Sequence, residues 1–126
     1  MQRACATTPK SDVQARDLGF MQSSILRQDA QLQRVADDLS GAVPGGNLPF
    51  DVNLAQFNAR DLTDLVSRST LCSPLKEKLL TAAKQLQTAD EDLAQVASGG
   101  DVAASLETAR SRFDALKSIT QNPPTS

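Results

Sequence analysis

Cysteine, histidine and paired carboxylates carry most of the chemistry that a small protein can perform, and this chain has few of them. It contains two cysteines, Cys5 and Cys72, and no histidine among its 126 residues. The commonest metal ligand and the commonest general base are therefore missing. Two cysteines distant in sequence do not make a four-ligand zinc site. The composition predicts a protein without metal, cofactor or enzymatic activity.

Acidic side chains are grouped at two places, in Asp90, Glu91 and Asp92 and in the pair Asp37 and Asp38. Consecutive residues of a helix point about 100° apart, so neither group converges on one point. No glycine-containing calcium loop surrounds them. We expect both groups to be solvated helix surface.

The elements that position these residues are predicted to be helices. Aromatic residues make up only 3% of the chain, and an alanine- and leucine-rich composition favours helix over sheet. The segment "SDVQ" (Ser11 to Gln14) has the form of a capping box. The helix after it is expected to end near Ser40, with Gly41 as its terminator. Its apolar stripe is spaced alternately by three and four residues: Leu18, Met21, Ile25, Gln28, Leu32, Val35 and Leu39.

A second helix is predicted after the loop "GAVPGGNLPF" (residues 41–50), with Asp51 as its N-cap. Its stripe is the least regular of the chain: Leu54, Phe57, Leu62, Leu65 and Val66. This irregularity leaves open a three-helix alternative, in which exposed stripes would require a second chain and a homodimer.

Two further helices complete the pattern. Ser73 and Pro74 suit the start of the third helix, and Asp101 suits the N-cap of the fourth. The third stripe is Leu75, Leu79, Ala82, Leu86, Ala89, Leu93 and Val96, and the fourth is Val102, Leu106, Ala109, Phe113 and Leu116. We predict an all-α, antiparallel up-down-up-down four-helix bundle over residues 11–120, a flexible arm at 1–10 and a disordered tail at 121–126.

In such a bundle, the start of the first helix and the connection between the second and third lie at the same end. Cys5 and Cys72 would then be neighbours, and a disulfide between them would stabilise the fold by about 4 kcal/mol. The alternative is a buried Cys72 and an unreacted Cys5.

The segment "ACATTPKSD" (residues 4–12) resembles the start of mature bacterial lipoproteins, in which a small residue precedes a lipidated cysteine and a polar tether comes after it. The resemblance implies lipidation of Cys5, which would exclude a disulfide with Cys72. It also implies a bacterial periplasmic or envelope location, with membrane contact only through the lipid; a cytoplasmic location is the alternative.

The segment "DLAQVASGGDVAASLETARSRFDAL" (residues 92–116) resembles the last helical hairpin of the cytochrome c′ and cytochrome b562 families. Met21 lies where the b562 type has a methionine haem ligand. These families take another ligand from histidine, which this chain lacks, so the resemblance implies the bundle without haem. Met21 is therefore expected to fill the core.

Gln28 is the polar residue that interrupts the first apolar stripe. An unpaired buried amide costs on the order of 1 to 3 kcal/mol. Gln28 is therefore expected to reach water, to set the helix register as buried polar residues do in coiled coils, or to bind a ligand together with Met21.

These observations favour a non-enzymatic, exported bundle that binds another protein. The candidate surface is Asn47, Leu48 and Phe50, although Phe50 has a second interpretation as a staple that packs on Ala55. The net charge of −2 argues against nucleic acid as a partner. Alternative functions are a carrier of small apolar ligands in the bundle interior, or a toxin-immunity or regulatory binding protein.

Overall fold

The computed structural model describes residues 12–41, 46–71, 73–97 and 100–121. It contains four helices, α1 (Asp12–Ser40), α2 (Leu48–Arg68), α3 (Ser73–Val96) and α4 (Val102–Gln121). No strand occurs within the described ranges. The four-helix bundle predicted from the sequence is confirmed. The three-helix alternative is wrong, because α2 is one continuous helix of 21 residues.

Contacts between the helices establish their order and direction. Each helix packs against the next one in sequence, and α4 returns to α1 along a smaller contact. Gln31, late in α1, bonds to Asp51 at the start of α2, whereas Asp17, early in α1, bonds to Thr70 just beyond the end of α2. The end of α1 likewise lines a groove with the start of α4. Neighbouring helices of these pairs therefore run in opposite directions.

The helix ends are explained by local chemistry. Gly41 has a φ of 73° and terminates α1, as expected from a residue without a Cβ. Asp101 caps α4, since its Oδ1 accepts a hydrogen bond from the Ala104 N–H at 3.1 Å. Gly100 directly precedes this cap. A Cβ on Gly100 would lie 2.6 Å from the Val96 Cβ, so the connection between α3 and α4 requires glycine at this position.

The predicted N-cap of α2 is wrong. Asn47, not Asp51, caps the helix, and its Oδ1 accepts a hydrogen bond from the Phe50 N–H at 3.1 Å. The helix therefore starts earlier than predicted and includes Pro49 in its first turn. Proline is tolerated there because the first N–H groups of a helix have no intrahelical partner in any case.

The core is formed by apolar side chains from all four helices. In α2 the buried stripe has a regular alternation of three and four residues and depends on two alanines: Val52, Ala55, Ala59, Leu62 and Val66. Leu62 and Val66 are buried, as predicted. The prediction is wrong for Leu54 and Phe57, which are 38% and 64% exposed. The predicted stripe counts only large apolar residues and leaves out Ala55 and Ala59. It therefore lies on the wrong side of α2 for Leu54 and Phe57.

Two substitutions test this assignment of the α2 core. Leu62 is fully buried, so Leu62→Ala is expected to lower the free energy of unfolding by about 3 kcal/mol through lost burial and a residual cavity. Phe57→Ala removes a larger but mostly exposed side chain and is expected to change it by less than about 0.5 kcal/mol. Urea unfolding followed by circular dichroism measures both. A loss for Phe57→Ala as large as that for Leu62→Ala would contradict the assignment.

Candidate functional site

An apolar face of α2 points away from the core. Phe50, Leu54 and Phe57 are spaced by four and three residues, which places them on one side of the helix. They are 57%, 38% and 64% exposed. The chain has four phenylalanines, and Phe113 is the one buried in the core. A protein poor in aromatic residues thus leaves two of them aligned on one exposed face, which we call the outer face of α2.

The outer face continues into acidic surface. Asp61 is exposed and lies one turn beyond Phe57 on the same side. Asp64 is paired with Arg68 at 3.1 Å, and Arg60 reaches Glu91 of α3 at 4.0 Å. In the part of the chain that the structure describes, no cation pairs with Asp61. The outer face therefore combines an apolar stripe with one uncompensated negative charge.

The predicted binding residues have different positions in the structure. Asn47 uses its side chain to cap α2, and Leu48 packs against the core. Only Phe50 belongs to the outer face. The staple interpretation of Phe50 is wrong, because this residue lies inside the first turn of the helix, not before its N-cap, and is more than half exposed. Sequence reasoning missed Leu54 and Phe57 as surface residues; counting Ala55 and Ala59 as core would have revealed them.

A second feature is a polar pair enclosed in the core. Gln28 of α1 donates a hydrogen bond from Nε2 to Oδ2 of Asp90 in α3 at 2.6 Å, and both side chains are fully buried. The prediction that Asp90 is solvated surface is wrong. Ala83, Leu86, Asp90 and Leu93 form a regular stripe on α3, so Asp90 faces inward. Gln28 is fully buried and bonds to a protein side chain. The expectation that its amide reaches water is therefore wrong.

Burial raises the pKa of the Asp90 carboxyl to about 7, and the hydrogen bond from Gln28 opposes the rise. Three polar atoms around the pair are buried without a hydrogen-bond partner: Ser24 Oγ, Gln28 Oε1 and Asp90 Oδ1. Met21 is 1% exposed, as expected for core filling. The pair is closed off from solvent, so it is not placed to act on a substrate.

A third feature is a carboxyl pair where α1 meets the start of α2. Asp51 is buried and is contacted by Gln31 Nε2, at 2.9 Å from its backbone oxygen, and by Arg34 Nε, at 3.6 Å from its Oδ1. Both carboxyl oxygens of Asp38 are enclosed without another donor. The side-chain hydrogen bond to Asp51 and burial raise the pKa of Asp38. The expectation that Asp38 is solvated surface is therefore corrected as well.

At the opposite end of α1, Asp17 holds the connection between α2 and α3. The backbone N–H and the hydroxyl of Thr70 donate to Asp17 Oδ2 at 2.8 and 2.9 Å. These two hydrogen bonds lower the pKa of Asp17. The start of α1 and the α2–α3 connection thus lie at the same end, as the sequence predicts. Cys5 and Cys72, with the arm at 1–10 and residues 122–126 of the tail, lie outside the described residues.

The described helices offer neither a metal site nor a membrane span. Within the described ranges, no group of three or more acidic, cysteine or histidine side chains is arranged to hold a metal ion. Among the helices so described, none is long and apolar enough to cross a bilayer.

The Asp38 carboxyl pair generates a test by substitution. A carboxyl whose pKa is raised by folding contributes stability at low pH that is lost as the pH rises through the raised value. Asp38→Asn removes the charge, so its thermal midpoint is expected to exceed that of the wild type by a few degrees near neutral pH and to approach it near pH 3. Asp114→Asn, at an exposed position of α4, is the matched control. An equal effect of Asp38→Asn at both pH values would contradict the raised pKa of Asp38.

Comparison with protein-family models, with curated proteins and with solved structures finds no match to this chain.

Proposed function

We propose that this chain is a non-enzymatic helical bundle that binds another protein through the outer face of α2. The observation that carries the proposal is the alignment of Phe50, Leu54 and Phe57 on one exposed face. Aromatic side chains are enriched at protein interfaces and often supply most of the binding energy. The bundle does not need this face for its own core, because α2 already buries a complete stripe on its other side.

The chemistry of the face indicates the kind of partner. A row of apolar residues spaced by four and three along a helix fits the apolar stripe of a second amphipathic helix. Asp61, exposed at the end of the row, fits a lysine or arginine on that helix. A second copy of this chain would bring another outer face, on which the uncompensated charge is again acidic. We therefore assign the face to an amphipathic helix of a different protein, with a basic residue next to its apolar stripe.

The absence of an enzymatic role is part of the same proposal. Asp90, whose pKa burial raises to about 7, is fully buried. The other acid with a raised pKa, Asp38, has both oxygens enclosed and faces Asp51. A general acid or base must reach its substrate, and enclosed carboxyls such as these do not. Their protonation affects the stability of the fold instead.

Export to a bacterial envelope is the remaining part of the proposal. It is supported by the lipoprotein-like segment at residues 4–12 and by the two cysteines of the chain. The hydrogen bonds between Asp17 and Thr70 bring the start of α1 to the connection that carries Cys72. This contact supports the prediction of a Cys5–Cys72 disulfide, and lipidation of Cys5 is the competing state.

Crosslinking from α2 tests the binding site. A photoreactive phenylalanine analogue at position 57, in the full chain expressed in its native host, is expected to crosslink to one partner protein. The same analogue at Ser118, an exposed position of α4, is the matched control and is expected not to. Equal crosslinking from both positions, or crosslinks only between two copies of the chain, would contradict the proposed partner.

The partner so identified is then titrated against variants. Phe57→Ala removes a central contact and is expected to weaken binding by at least about tenfold, or more than about 1.4 kcal/mol, with the fold intact. Asp61→Lys reverses the charge and is expected to slow association and to change its salt dependence. Unchanged affinity for both variants would place the interface elsewhere.

Intact mass with thiol alkylation tests export, using protein purified from its native host. A diacylglyceryl adduct with Cys72 still open to alkylation would establish a lipoprotein. An unlipidated chain whose two thiols react only after reduction would establish an exported, disulfide-bonded protein. Two thiols that react without reduction would contradict the proposed export, because reducing compartments keep cysteines free.

A further inference from the structure

The hydrogen bond between Gln28 and Asp90 links α1 and α3, two helices that are not neighbours around the bundle. In the order of the bundle, α1 and α3 lie across a diagonal, and within the described ranges no backbone contact links them. The hydrogen bond of 2.6 Å from Gln28 Nε2 to Asp90 Oδ2 therefore crosses the centre of the core. This bond is thus a polar link between two helices whose backbones, over the described residues, do not approach each other.

The unpaired atoms on both side chains show which protonation state suits the pair. Gln28 Oε1 is a buried acceptor without a donor, and Asp90 Oδ1 is buried without a partner. An ionised carboxylate offers only acceptors, so it cannot satisfy Gln28 Oε1. A protonated carboxyl offers one O–H donor, which complements the amide of Gln28: the amide N–H bonds one acid oxygen and the acid O–H bonds the amide oxygen. Protonation thus provides the donor that the ionised pair lacks.

Among the described residues, no charged group on the neighbouring helices compensates the negative charge that an ionised Asp90 would carry. On α3, Glu91 is paired with Arg60 of α2 at 4.0 Å, and Asp92 is exposed. On α4, Glu107 and Arg110 line the groove beside α1. None of these groups contributes to the shift of the Asp90 pKa, whose two causes are burial and the hydrogen bond from Gln28. An ionised Asp90 would therefore be a buried charge without a cation.

The packing of α1 determines how the bundle responds when Asp90 loses its proton. This helix contacts α2 extensively and α4 over a smaller area. Leu39, near the end of α1, is 39% exposed beside the groove that separates α1 from α4. The α1–α4 seam thus has the least contact of the four junctions around the ring of helices, so α1 is the helix for which an added link across the core matters most.

We propose that Gln28 and Asp90 form a proton-dependent latch, which holds α1 against α3 when Asp90 is protonated and loosens the α1–α4 seam when it is ionised. Neither of its residues lies on α2, the helix that carries the outer face.

The sign of the effect on stability is given by linkage. Folding raises the proton affinity of Asp90, so the contribution of this group is present at low pH and is lost as the pH rises toward about 7. Asp90→Asn replaces the protonated acid by an amide that keeps both an acceptor and a donor, and it cannot ionise. The ratio of the folding constants of Asp90→Asn and wild type is expected to rise by about tenfold per pH unit between about pH 5 and 7 and then to level off.

The control for this experiment is Asp92→Asn, an exposed position two residues along α3, for which the ratio is expected to stay constant. Because every comparison is made against wild type at the same pH, the contributions of Asp17 and Asp38 cancel. A flat ratio for Asp90→Asn as well would overturn the latch.

Two measurements on folded protein complete the test. The ¹³Cγ resonance of Asp90 in the wild-type chain is expected to titrate near pH 7, and a midpoint near 4 would show an open, hydrated carboxyl and overturn the proposal. Amide hydrogen exchange at about pH 8 compares wild type with Asp90→Asn under identical solvent conditions. The α1 amides are expected to exchange faster in the wild type; equal rates would mean that ionisation does not release α1.

Discussion

Burial of four apolar stripes holds this bundle together, and the stripe of α2 depends on two alanines. Ala55 and Ala59 are fully buried in the middle of that stripe. Small side chains at these levels allow neighbouring helices to come near, while Leu62 and Val66 fill the space further along. The same choice of stripe turns Phe50, Leu54 and Phe57 outward. The exposed apolar face is therefore a direct consequence of which side of α2 carries the alanines.

Most of the fold is predictable because three of the four helices have strong stripes and clear stop signals. The pattern of three and four residues identifies Leu32, Leu86 and Leu116 as core, and all are buried. The turn at Gly41 and the cap at Asp101 are also correct. For α2 the pattern fails, since it weights large apolar side chains above alanine and assigns Pro49 to a loop. Propensity alone does not tell which of two apolar faces a neighbouring helix will cover.

The candidate sites are less predictable, because they depend on pairs of residues distant in sequence. Gln28 is recognisable as a polar interruption of a stripe, but the sequence pattern places its partner Asp90 on the surface with Glu91 and Asp92. The three acids look alike in the sequence. In the structure Asp90 differs from Glu91 and Asp92 because its side chain points into the core. The predicted stripe of α3 passes through Ala89 and not Asp90, so the neighbouring stripe that contains Asp90 is the signal that could have found the pair. Buried polar groups are hydrogen-bonded in native proteins, so the interruption at Gln28 implies a buried polar partner without identifying it.

The outer face and the latch lie on different helices, yet they share a support. The helix that carries the outer face, α2, packs against both α1 and α3, the two helices that the latch joins. If a partner helix binds α2 equally well whether α1 is held or loosened, protonation of Asp90 and binding are independent. If it binds the held state more tightly, the coupling must be reciprocal: binding then raises the proton affinity of Asp90 by the same factor by which protonation raises the affinity for the partner. The contact between α1 and α2 decides between these cases. Because Asp51 and Gln31 tie α1 to the turn that carries Phe50, a displacement of α1 at this level would reach the outer face, and coupling is the physical expectation.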